Sequence, residues 1–188
     1  MSKPLPVSFY IRPTLTVARE LLGARLVRTL NGLRLVGEII ETEAYIGESD
    51  LGCHAKAGKT ARTAVMYGRA GIAYVYFTYG MHWMLNAVTE AEGFPAAVLI
   101  RAIRPLAGIE IINKRRGGRD TKGPAKLTQA LGIDRALNGH DLTKPNTGLW
   151  IEAGEPILDN CVTIGPRVGL YSVPEPWKSK PWRFRVNR

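Results

Sequence analysis

The sequence predicts a mixed fold in which α-helices accompany antiparallel β-hairpins within one domain. Three local patterns support this prediction. Asn31-Gly32 separates two strand-like runs, and this dipeptide is typical of a tight hairpin turn. The β-prone run 72–79 leads into Gly80-Met81, which predicts a second hairpin. Pro124 near the start of a helical pattern and Gly132 just after its end delimit a helix.

The first helix is predicted over Thr14 to Leu22, where apolar residues recur at helical spacing. Thr14 or Thr16 is the expected cap, and a glycine follows the last turn. Strands are then expected at Arg25 to Leu30 and at Leu33 to Ala44, on either side of the first turn.

Alternation along the second strand predicts which of its side chains share a face, because successive residues of a strand point to opposite sides. One face is predicted to hold Ile39, Glu41, Glu43 and Tyr45. The other is predicted to hold Ile40, Thr42 and Ala44. Glu43 and Tyr45 are therefore expected to face the same pocket.

The remaining elements follow from local composition. Residues 49–70 have weak periodicity and are predicted to form a long, irregular surface segment, the kind of loop that often has a function. An apolar run at Ala96 to Ile103 is expected to form a central strand that Pro105 ends. The other predicted elements are the second hairpin at Gly71 to Val88, a helix at Leu106 to Asn113, and short strands at Leu149 to Glu152 and Cys161 to Ile164. No repeat or linker divides the chain, so residues 1–188 are predicted to form one domain.

The charge balance favours a polyanionic partner. Lys and Arg number 26 against 16 Asp and Glu, a net charge of +10, so the electric field of the protein attracts DNA or RNA. Excess positive charge also occurs in proteins that merely stay soluble. Cys53 and Cys161 are too few for a disulfide framework and form no metal pattern, which fits a reducing, cytoplasmic compartment. Neither a signal peptide nor a long apolar span is present, so no membrane association is expected.

A carboxylate, a phenol and an imidazole occur close together at Glu43, Tyr45 and His54. A glutamate at the end of a strand is most often solvated or paired in a salt bridge. Beside aromatic residues, it can instead activate water as a general base or stabilise an oxocarbenium-like centre. Glu41 is a candidate for the second carboxyl group that glycoside hydrolysis normally uses, but it lies only about 7 Å away on the same strand. An alkylated purine is already cationic and needs no second acid to leave.

A further set of candidates is aromatic and comprises Tyr45, His54, Tyr76 and Tyr79. Spacing alone favours half-buried strand residues for the tyrosines and an ordinary loop position for the histidine. The alternative is a stacking box, in which aromatic faces hold a planar base at about 1–3 kcal/mol per base. In a regular strand, Tyr76 and Tyr79 lie on opposite faces, so that one lines a pocket and the other points outward. Only His82 and His140 remain as imidazole partners and no ligand spacing is present, so no metal site is expected.

The basic residues form two groups. The first lies in the long loop and comprises Lys56, Lys59, Arg62 and Arg69. The second surrounds Gly117-Gly118 and the following helix, and comprises Lys114, Arg115, Arg116, Arg119, Lys122 and Lys126. Most such runs are solvated surfaces, but together with exposed glycine N–H groups they can bind phosphates.

A series of motifs resembles one known family. The motifs are Glu41-Thr42-Glu43-Ala44-Tyr45, His54, the run 74–81 with Asn86, the run 99–102, and the run 123–127 with 129–131. In order and approximate spacing, over nearly the whole chain, they closely resemble the alkyladenine, or 3-methyladenine, DNA glycosylase family. The resemblance implies an α+β class: a single compact domain with a curved, mostly antiparallel β-sheet, flanking helices and a protruding β-hairpin.

The resemblance also implies an activity. It is that of a monofunctional glycosylase of base excision repair, which uses no cofactor. Such an enzyme flips alkylated or deaminated purines, such as 3-methyladenine, 7-methylguanine and hypoxanthine, out of duplex DNA and hydrolyses the N-glycosidic bond. The implied partner is double-stranded DNA that contains damaged purines, bound by a monomer. The implied location is the cytoplasm, with the nucleoid, in a bacterium and the nucleus in a eukaryote.

Individual residues match functional positions of that family. Glu43 matches the general base that activates water for attack on C1′ of the sugar, and Arg101 matches the arginine that helps to hold Glu43 and that water. Asn86 matches a pocket residue that disfavours the 2-amino group of normal guanine. The residues that match the sandwich around the flipped base are Tyr45, His54 and Tyr76. Tyr79 matches the intercalating side chain, and the expected DNA contacts around it are Met81, His82 and Lys126.

Two other interpretations stay open at this point. A non-catalytic protein that binds damaged DNA would keep the aromatic box and the basic surface but would not need Glu43. A bifunctional glycosylase and lyase would need an amine nucleophile in the pocket, and the matching motifs offer no lysine for that role.

Overall fold

A single antiparallel β-sheet organises residues 3–187, the residues that the computed structural model describes. Within them the strands are Arg25–Leu30 (β1), Leu33–Ile46 (β2), Ala73–Thr78 (β3), His82–Val88 (β4), Ala96–Ala107 (β5), Leu149–Glu152 (β6), Val162–Gly165 (β7) and Arg183–Val186 (β8). Neighbouring strands follow the order β3-β4-β5-β2-β1-β6, while β8 pairs with both β2 and β7. The sheet curls into a half-barrel, which confirms the predicted α+β class.

Helices cover one face of this sheet. They are Val7–Tyr10 (α1), Thr14–Glu20 (α2), Ile109–Arg116 (α3) and Pro124–Leu131 (α4). The main core lies between the helices and the sheet, and its members include Val17, Ile112, Leu127, Leu85 and Ile100. No helix in the described part of the chain is long and apolar enough to cross a membrane.

Both predicted hairpins are confirmed. Asn31 and Gly32 have φ values of 51° and 75°, as a turn with two left-handed central residues requires. The second hairpin joins β3 to β4 and has an exposed apolar tip that includes Tyr79 and Met81. The helix Pro124–Leu131 is also confirmed at both ends.

The long strand β2 is the centre of the sheet, because it pairs with β1, β5 and β8. Its register against β5 passes from Ile39↔Ile103 to Glu41↔Ala102 and then to Thr42↔Ile100. Ile40 on β2 and Arg101 on β5 are therefore each an extra residue at a β-bulge. A bulge bends a strand and changes the direction of its side chains, and bulges are frequent beside active sites.

The bulge at Ile40 breaks the predicted alternation. Ile39 is fully buried in the main core together with Ala44, so the prediction that it shares a face with Glu41, Glu43 and Tyr45 is wrong. The extra residue shifts the side-chain period by one position. Beyond the bulge, alternation resumes.

Three predicted boundaries are also wrong. Strand β5 continues through Pro105 to Ala107. At this end of β5, the edge that does not pair with β2 has no neighbouring strand, so the missing N–H of Pro105 costs no hydrogen bond of the sheet there. Because the strand continues, α3 begins at Ile109 instead of Leu106. In α2 the N-cap position is Pro13 with no side-chain cap; Thr14 instead hydrogen-bonds the Glu90 carboxylate at 2.6 Å.

The end of α2 packs closely on the loop that follows β6. Gly23 has a φ of 86°, and a Cβ placed there would lie 2.0 Å from the carbonyl oxygen of Glu155. Gly32, in the first hairpin turn, has a similar φ of 75° but no heavy atom within 4 Å of such a Cβ. Both glycines therefore have a left-handed backbone, but only at Gly23 would a side chain also clash with a neighbouring backbone atom.

We expect Gly23→Ala to destabilise the protein more than Gly32→Ala. Both variants carry the cost of a left-handed backbone, about 1–2 kcal/mol, but only the first adds a clash with backbone. Urea denaturation of the two variants should give free energies of unfolding that differ by at least about 2 kcal/mol. Equal losses would show that the Gly23 contact relaxes without cost.

Candidate active site

A cavity of about 340 Å³ opens on the face of the sheet opposite the main core. Its lining residues from the sheet include Tyr45 on β2, Tyr74 and Tyr76 on β3, Asn86 on β4 and Arg101 on β5. The long loop contributes Cys53 and His54, and the loop after β7 contributes Val168, Gly169 and Leu170. The volume is within the range of small-molecule sites, and the walls are mainly aromatic and apolar with a few polar groups.

Glu43 lies directly behind this wall and is fully buried. One carboxylate oxygen accepts a hydrogen bond from the Tyr45 hydroxyl at 2.7 Å. The other accepts one from the backbone N–H of Val168 at 2.7 Å and lies 3.3 Å from a guanidinium nitrogen of Arg101. All three partners line the cavity, so the carboxylate lies next to it through the groups that contact its oxygens.

Burial determines how this carboxylate titrates. Desolvation raises the pKa of Glu43 above its ordinary value, while Arg101 and the N–H of Val168 act in the opposite direction. Desolvation and the neighbouring carboxylate also raise the pKa of Tyr45, so its hydroxyl stays protonated and remains a donor. A carboxylate with a raised pKa is a stronger proton acceptor than one in water.

Arg101 owes its position to the bulge in β5. Its Nε donates to Glu41 at 3.0 Å, and its Nη1 faces Glu43. Arg183 on β8 lies 3.6 Å from the same oxygen of Glu41. Glu41 therefore holds the arginine that faces Glu43, while Glu43 alone has Tyr45 and Val168 as further partners.

The aromatic residues of the wall contact one another. The His54 ring lies 4.5 Å from the Tyr76 ring in an edge-on arrangement, and its Nδ1 is 3.0 Å from the Tyr74 hydroxyl. Burial, followed by the nearby charges of Arg62 and Lys56, lowers the pKa of His54 to about 4. The imidazole is therefore neutral at neutral pH. Arg62 also lies 5.0 Å from the centre of the Tyr76 ring.

Asn86 is buried and lines the cavity. Its side-chain N–H donates to the backbone carbonyl of Tyr74 at 3.0 Å, across the β3–β4 pair. The hydrogen bond fixes the amide against the cavity wall.

The hairpin tip forms the rim of the cavity. Tyr79 is 80% exposed and has a φ of 51°, a left-handed conformation that is uncommon for a bulky residue. Because β3 ends at Thr78, Tyr79 belongs to the turn, and both it and Tyr76 border the cavity. The opposite faces were predicted for a strand that stays regular through both tyrosines, and this condition is not met, because Tyr79 lies beyond the end of β3.

A surface groove continues from the cavity, and the two share Met84 and Pro124. Met81, His82 and Lys126, which the sequence groups together, line this groove. Lys126 is also paired with Asp120 at 3.0 Å.

The predicted basic groups divide into exposed and structural residues. Arg116 is buried and donates to the carbonyl of Asp120, and Arg69 is paired with Asp141. Arg119 and Lys126 remain along the groove. Lys56, Lys59 and Arg62 are exposed in the long loop.

Sequence reasoning missed four residues of the site: Asp50, Tyr74, Arg167 and Val168. The strand position of Tyr74 predicts a buried aromatic residue, but its contact with His54 requires the folded loop. Arg167 and Asp50 form a fully buried ion pair between segments that are 117 residues apart. Local patterns contain no signal for such a pair, nor for a backbone donor such as Val168. Within residues 3–187, no cluster of three His, Cys, Asp or Glu side chains could hold a metal ion.

Comparison with known proteins agrees with this geometry. The sequence model of the methylpurine-DNA glycosylase family matches residues 8–188. The chain belongs to this family. As a methylpurine-DNA glycosylase family member it is a DNA glycosylase, a hydrolase of DNA repair that acts on DNA, which confirms the resemblance found in its motifs.

Relatives with similar sequences cover nearly the whole chain. A protein of Carboxydothermus hydrogenoformans is 50% identical over 184 residues, which are 96% of this chain and 93% of that protein. A protein of Myxococcus xanthus is 50% identical over 97% of this chain and 89% of its own length. One of Methanocella arvoryzae is 49% identical, with 96% and 90% covered. All three are provisionally named 3-methyladenine DNA glycosylase.

We expect the His54 ring of this glycosylase to titrate near pH 4 in the folded protein. The folded-state pKa lies below the ordinary value, so the folded protein excludes the imidazolium and loses stability as the pH falls from the unfolded pKa towards about 4. NMR titration of the ring protons measures this value. Arg62→Gln should raise it by removing a nearby positive charge, whereas Arg69→Gln should not. A His54 pKa that does not respond to Arg62→Gln would contradict the electrostatic assignment.

Proposed function

We propose that this glycosylase flips alkylated or deaminated purines, including 3-methyladenine, 7-methylguanine and hypoxanthine, out of duplex DNA and hydrolyses their N-glycosidic bonds without forming a covalent enzyme intermediate. The observation that carries the proposal is the buried carboxylate of Glu43, held by two hydrogen-bond donors and an ion pair with Arg101 immediately behind an aromatic cavity. The cavity admits the base, and the carboxylate supplies the proton acceptor.

Glu43 acts as the general base in this proposal. An ionised carboxylate offers about four acceptor positions, of which the Tyr45 hydroxyl and the Val168 N–H occupy two, while Arg101 forms an ion pair with it at 3.3 Å. The attacking water occupies a remaining acceptor position. Its oxygen bonds to C1′ of the sugar while the bond from C1′ to the base nitrogen breaks and the electron pair leaves with the base. Glu43 takes the proton of the water, and Arg101 orients the carboxylate and the water.

The walls of the cavity suit a flat base. Tyr45, His54 and Tyr76 hold it in this proposal, and a cationic base gains about 0.5–2 kcal/mol from the electron-rich rings. An alkylated base departs neutral, so no acid is required. Hypoxanthine is uncharged and needs a proton, for example at N7, to leave as a neutral base.

Asn86 is proposed to disfavour normal guanine. Its amide is tied to the Tyr74 carbonyl within the buried wall, so it cannot turn aside for the 2-amino group. If guanine bound, its 2-amino group would be buried against this amide without a hydrogen-bond partner. The desolvation of that group would then weaken the binding of guanine by about 1–3 kcal/mol.

Tyr79 is proposed to fill the gap that the flipped nucleotide leaves. It stands exposed at the rim, next to the groove where Met81, His82 and Lys126 contact the DNA backbone in this proposal. Flipping costs a few kcal/mol, and a wedge that replaces the lost stacking offsets part of that cost. The left-handed backbone of Tyr79 is the kind of local strain found at functional positions.

We expect Glu43→Gln to lower the single-turnover rate of 7-methylguanine release from duplex DNA by about 10²–10⁴, because glutamine cannot accept the proton of water. Glu41→Gln is the matched control on the same strand face. Its loss should be smaller, since Glu41 holds Arg101 and is not the proposed proton acceptor.

Three outcomes would contradict the proposal in different ways. If the intact protein binds methylated duplex DNA but releases no base, the proposed activity is contradicted and the protein is a non-catalytic protein that binds damaged DNA. Full activity of Glu43→Gln would remove Glu43 as the base. A protein–DNA adduct trapped by borohydride would reveal an amine nucleophile and hence a lyase.

We expect Tyr79→Asn to lower excision of hypoxanthine from a matched duplex by at least about tenfold, with less loss when the lesion lies in a mismatch and flips more easily. Asparagine tolerates a left-handed backbone, so the melting temperature should not fall. Tyr79→Phe keeps the ring and serves as the control. Equal losses on matched and mismatched duplexes would exclude a role in flipping.

A further inference from the structure

The loop that follows β7 supplies one of the donors to Glu43. Val168 donates its backbone N–H at 2.7 Å, and it lines the cavity together with Gly169 and Leu170. Val168 is 125 residues away from Glu43 in the chain. Its position therefore depends on whatever fixes this loop against β2.

A buried ion pair fixes the loop. The Arg167 guanidinium donates to both carboxylate oxygens of Asp50, at 2.6 and 2.8 Å, and neither side chain is exposed. Asp50 in turn accepts the backbone N–H groups of Gly52 at 2.9 Å and Ile46 at 3.2 Å. Since Ile46 is the last residue of β2, the ion pair joins the loop to the strand that bears Glu43.

Arg167 also contacts β2 directly. It donates to the carbonyl of Ala44, between Glu43 and Tyr45, at 3.0 Å. Its guanidinium carbon lies 4.7 Å from the centre of the Tyr45 ring and 5.0 Å from that of Trp182. A cation at these distances attracts an aromatic face and restrains the ring.

Both hydrogen-bond donors to Glu43 thus depend on Arg167. One is the next residue in the chain, Val168, and the other is the hydroxyl of the ring that Arg167 contacts. A buried ion pair contributes little net stability compared with apolar packing, but it specifies one geometry strongly, because breaking it leaves an uncompensated charge.

We propose that Arg167, paired with Asp50, is a positioning residue of the reaction. It holds the Val168 N–H and the Tyr45 hydroxyl on the two oxygens of Glu43, and so directs a free acceptor position of the carboxylate towards the flipped nucleotide. This inference rests on the proposed role of Glu43 as the general base.

The N–H of Val168 can be removed without removing the ion pair. The other charged or titratable groups around Glu43 would stay in place, namely Glu41 and Tyr45 on β2, Tyr76 on β3, Arg101 on β5 and Arg183 on β8. Since the hydrogen bond from Val168 lowers the pKa of Glu43, its loss raises that pKa. A base must be deprotonated to act, so the acidic limb of the pH–rate profile then moves to higher pH.

The test compares Val168→Pro, which lacks the N–H, with Val168→Ala, which keeps it and accounts for the loss of side-chain contacts. Single-turnover release of 7-methylguanine is measured from pH 5.5 to 9. For each unit by which the Glu43 pKa rises, the proline variant should be about tenfold slower than the alanine variant at acidic pH, with a smaller difference at alkaline pH. Coincident pH profiles of the two folded variants would overturn the inference.

Asp50→Asn provides an independent test if proline disturbs the loop. The two oxygens of Asp50 accept the Gly52 and Ile46 N–H groups separately, so asparagine, with one acceptor oxygen, can keep only one of these two hydrogen bonds and lacks the charge that holds Arg167. In the folded variant, confirmed by circular dichroism, the acidic limb should also move to higher pH, while binding to duplex DNA with an uncleavable abasic analogue is retained. An unchanged profile in folded Asp50→Asn would overturn the inference. The proposed function fails separately, through an inactive intact protein or a fully active Glu43→Gln.

Discussion

The carboxylate of Glu43 is buried away from water, and the need to compensate a buried charge explains much of the surrounding structure. An isolated carboxylate in an apolar interior is so costly that it either takes up a proton or acquires partners. Here the partners come from three parts of the chain: Tyr45 from the same strand, Arg101 from the neighbouring strand, and Val168 from a distant loop. Because burial and compensation oppose each other, the group remains ionisable while its pKa is raised.

The sheet meets this constraint through its irregularities. Glu43 itself is paired with Leu99 on β5, and Arg101 is the extra residue at the bulge, so the ladder does not dictate the direction of its side chain. Glu41 then fixes the other side of the guanidinium. One carboxylate of the strand thus orients an arginine, and the other is the proposed general base. The two glutamates lie two positions apart, and their proposed roles differ because their partners differ.

Much of this arrangement follows from local pattern. The hairpins, the helix Pro124–Leu131 and the shared face of Glu43 and Tyr45 depend on turn chemistry and side-chain period, which act over a few residues. The misplaced Ile39 and the unexpected length of β5 have another origin, since bulges and edge positions are decided by the partner strand. Arg167 and Asp50 could not be paired from sequence, because each is locally an ordinary charged residue and only the closed fold removes both from solvent.

The long separation between Glu43 and Val168 has a consequence for the order in which the protein is made. During synthesis, β2 emerges well before the loop that follows β7, and Glu43 then lacks a donor that it has in the finished domain. Strand β8, which pairs with β2 beside Glu43, emerges later still. A ribosome-bound chain that ends before this region therefore lacks the Val168 N–H and the neighbouring strand that surround Glu43 in the folded domain. The surroundings of Glu43 are thus completed only by the last segments to be made, although Glu43, the proposed general base, lies in the first quarter of the chain.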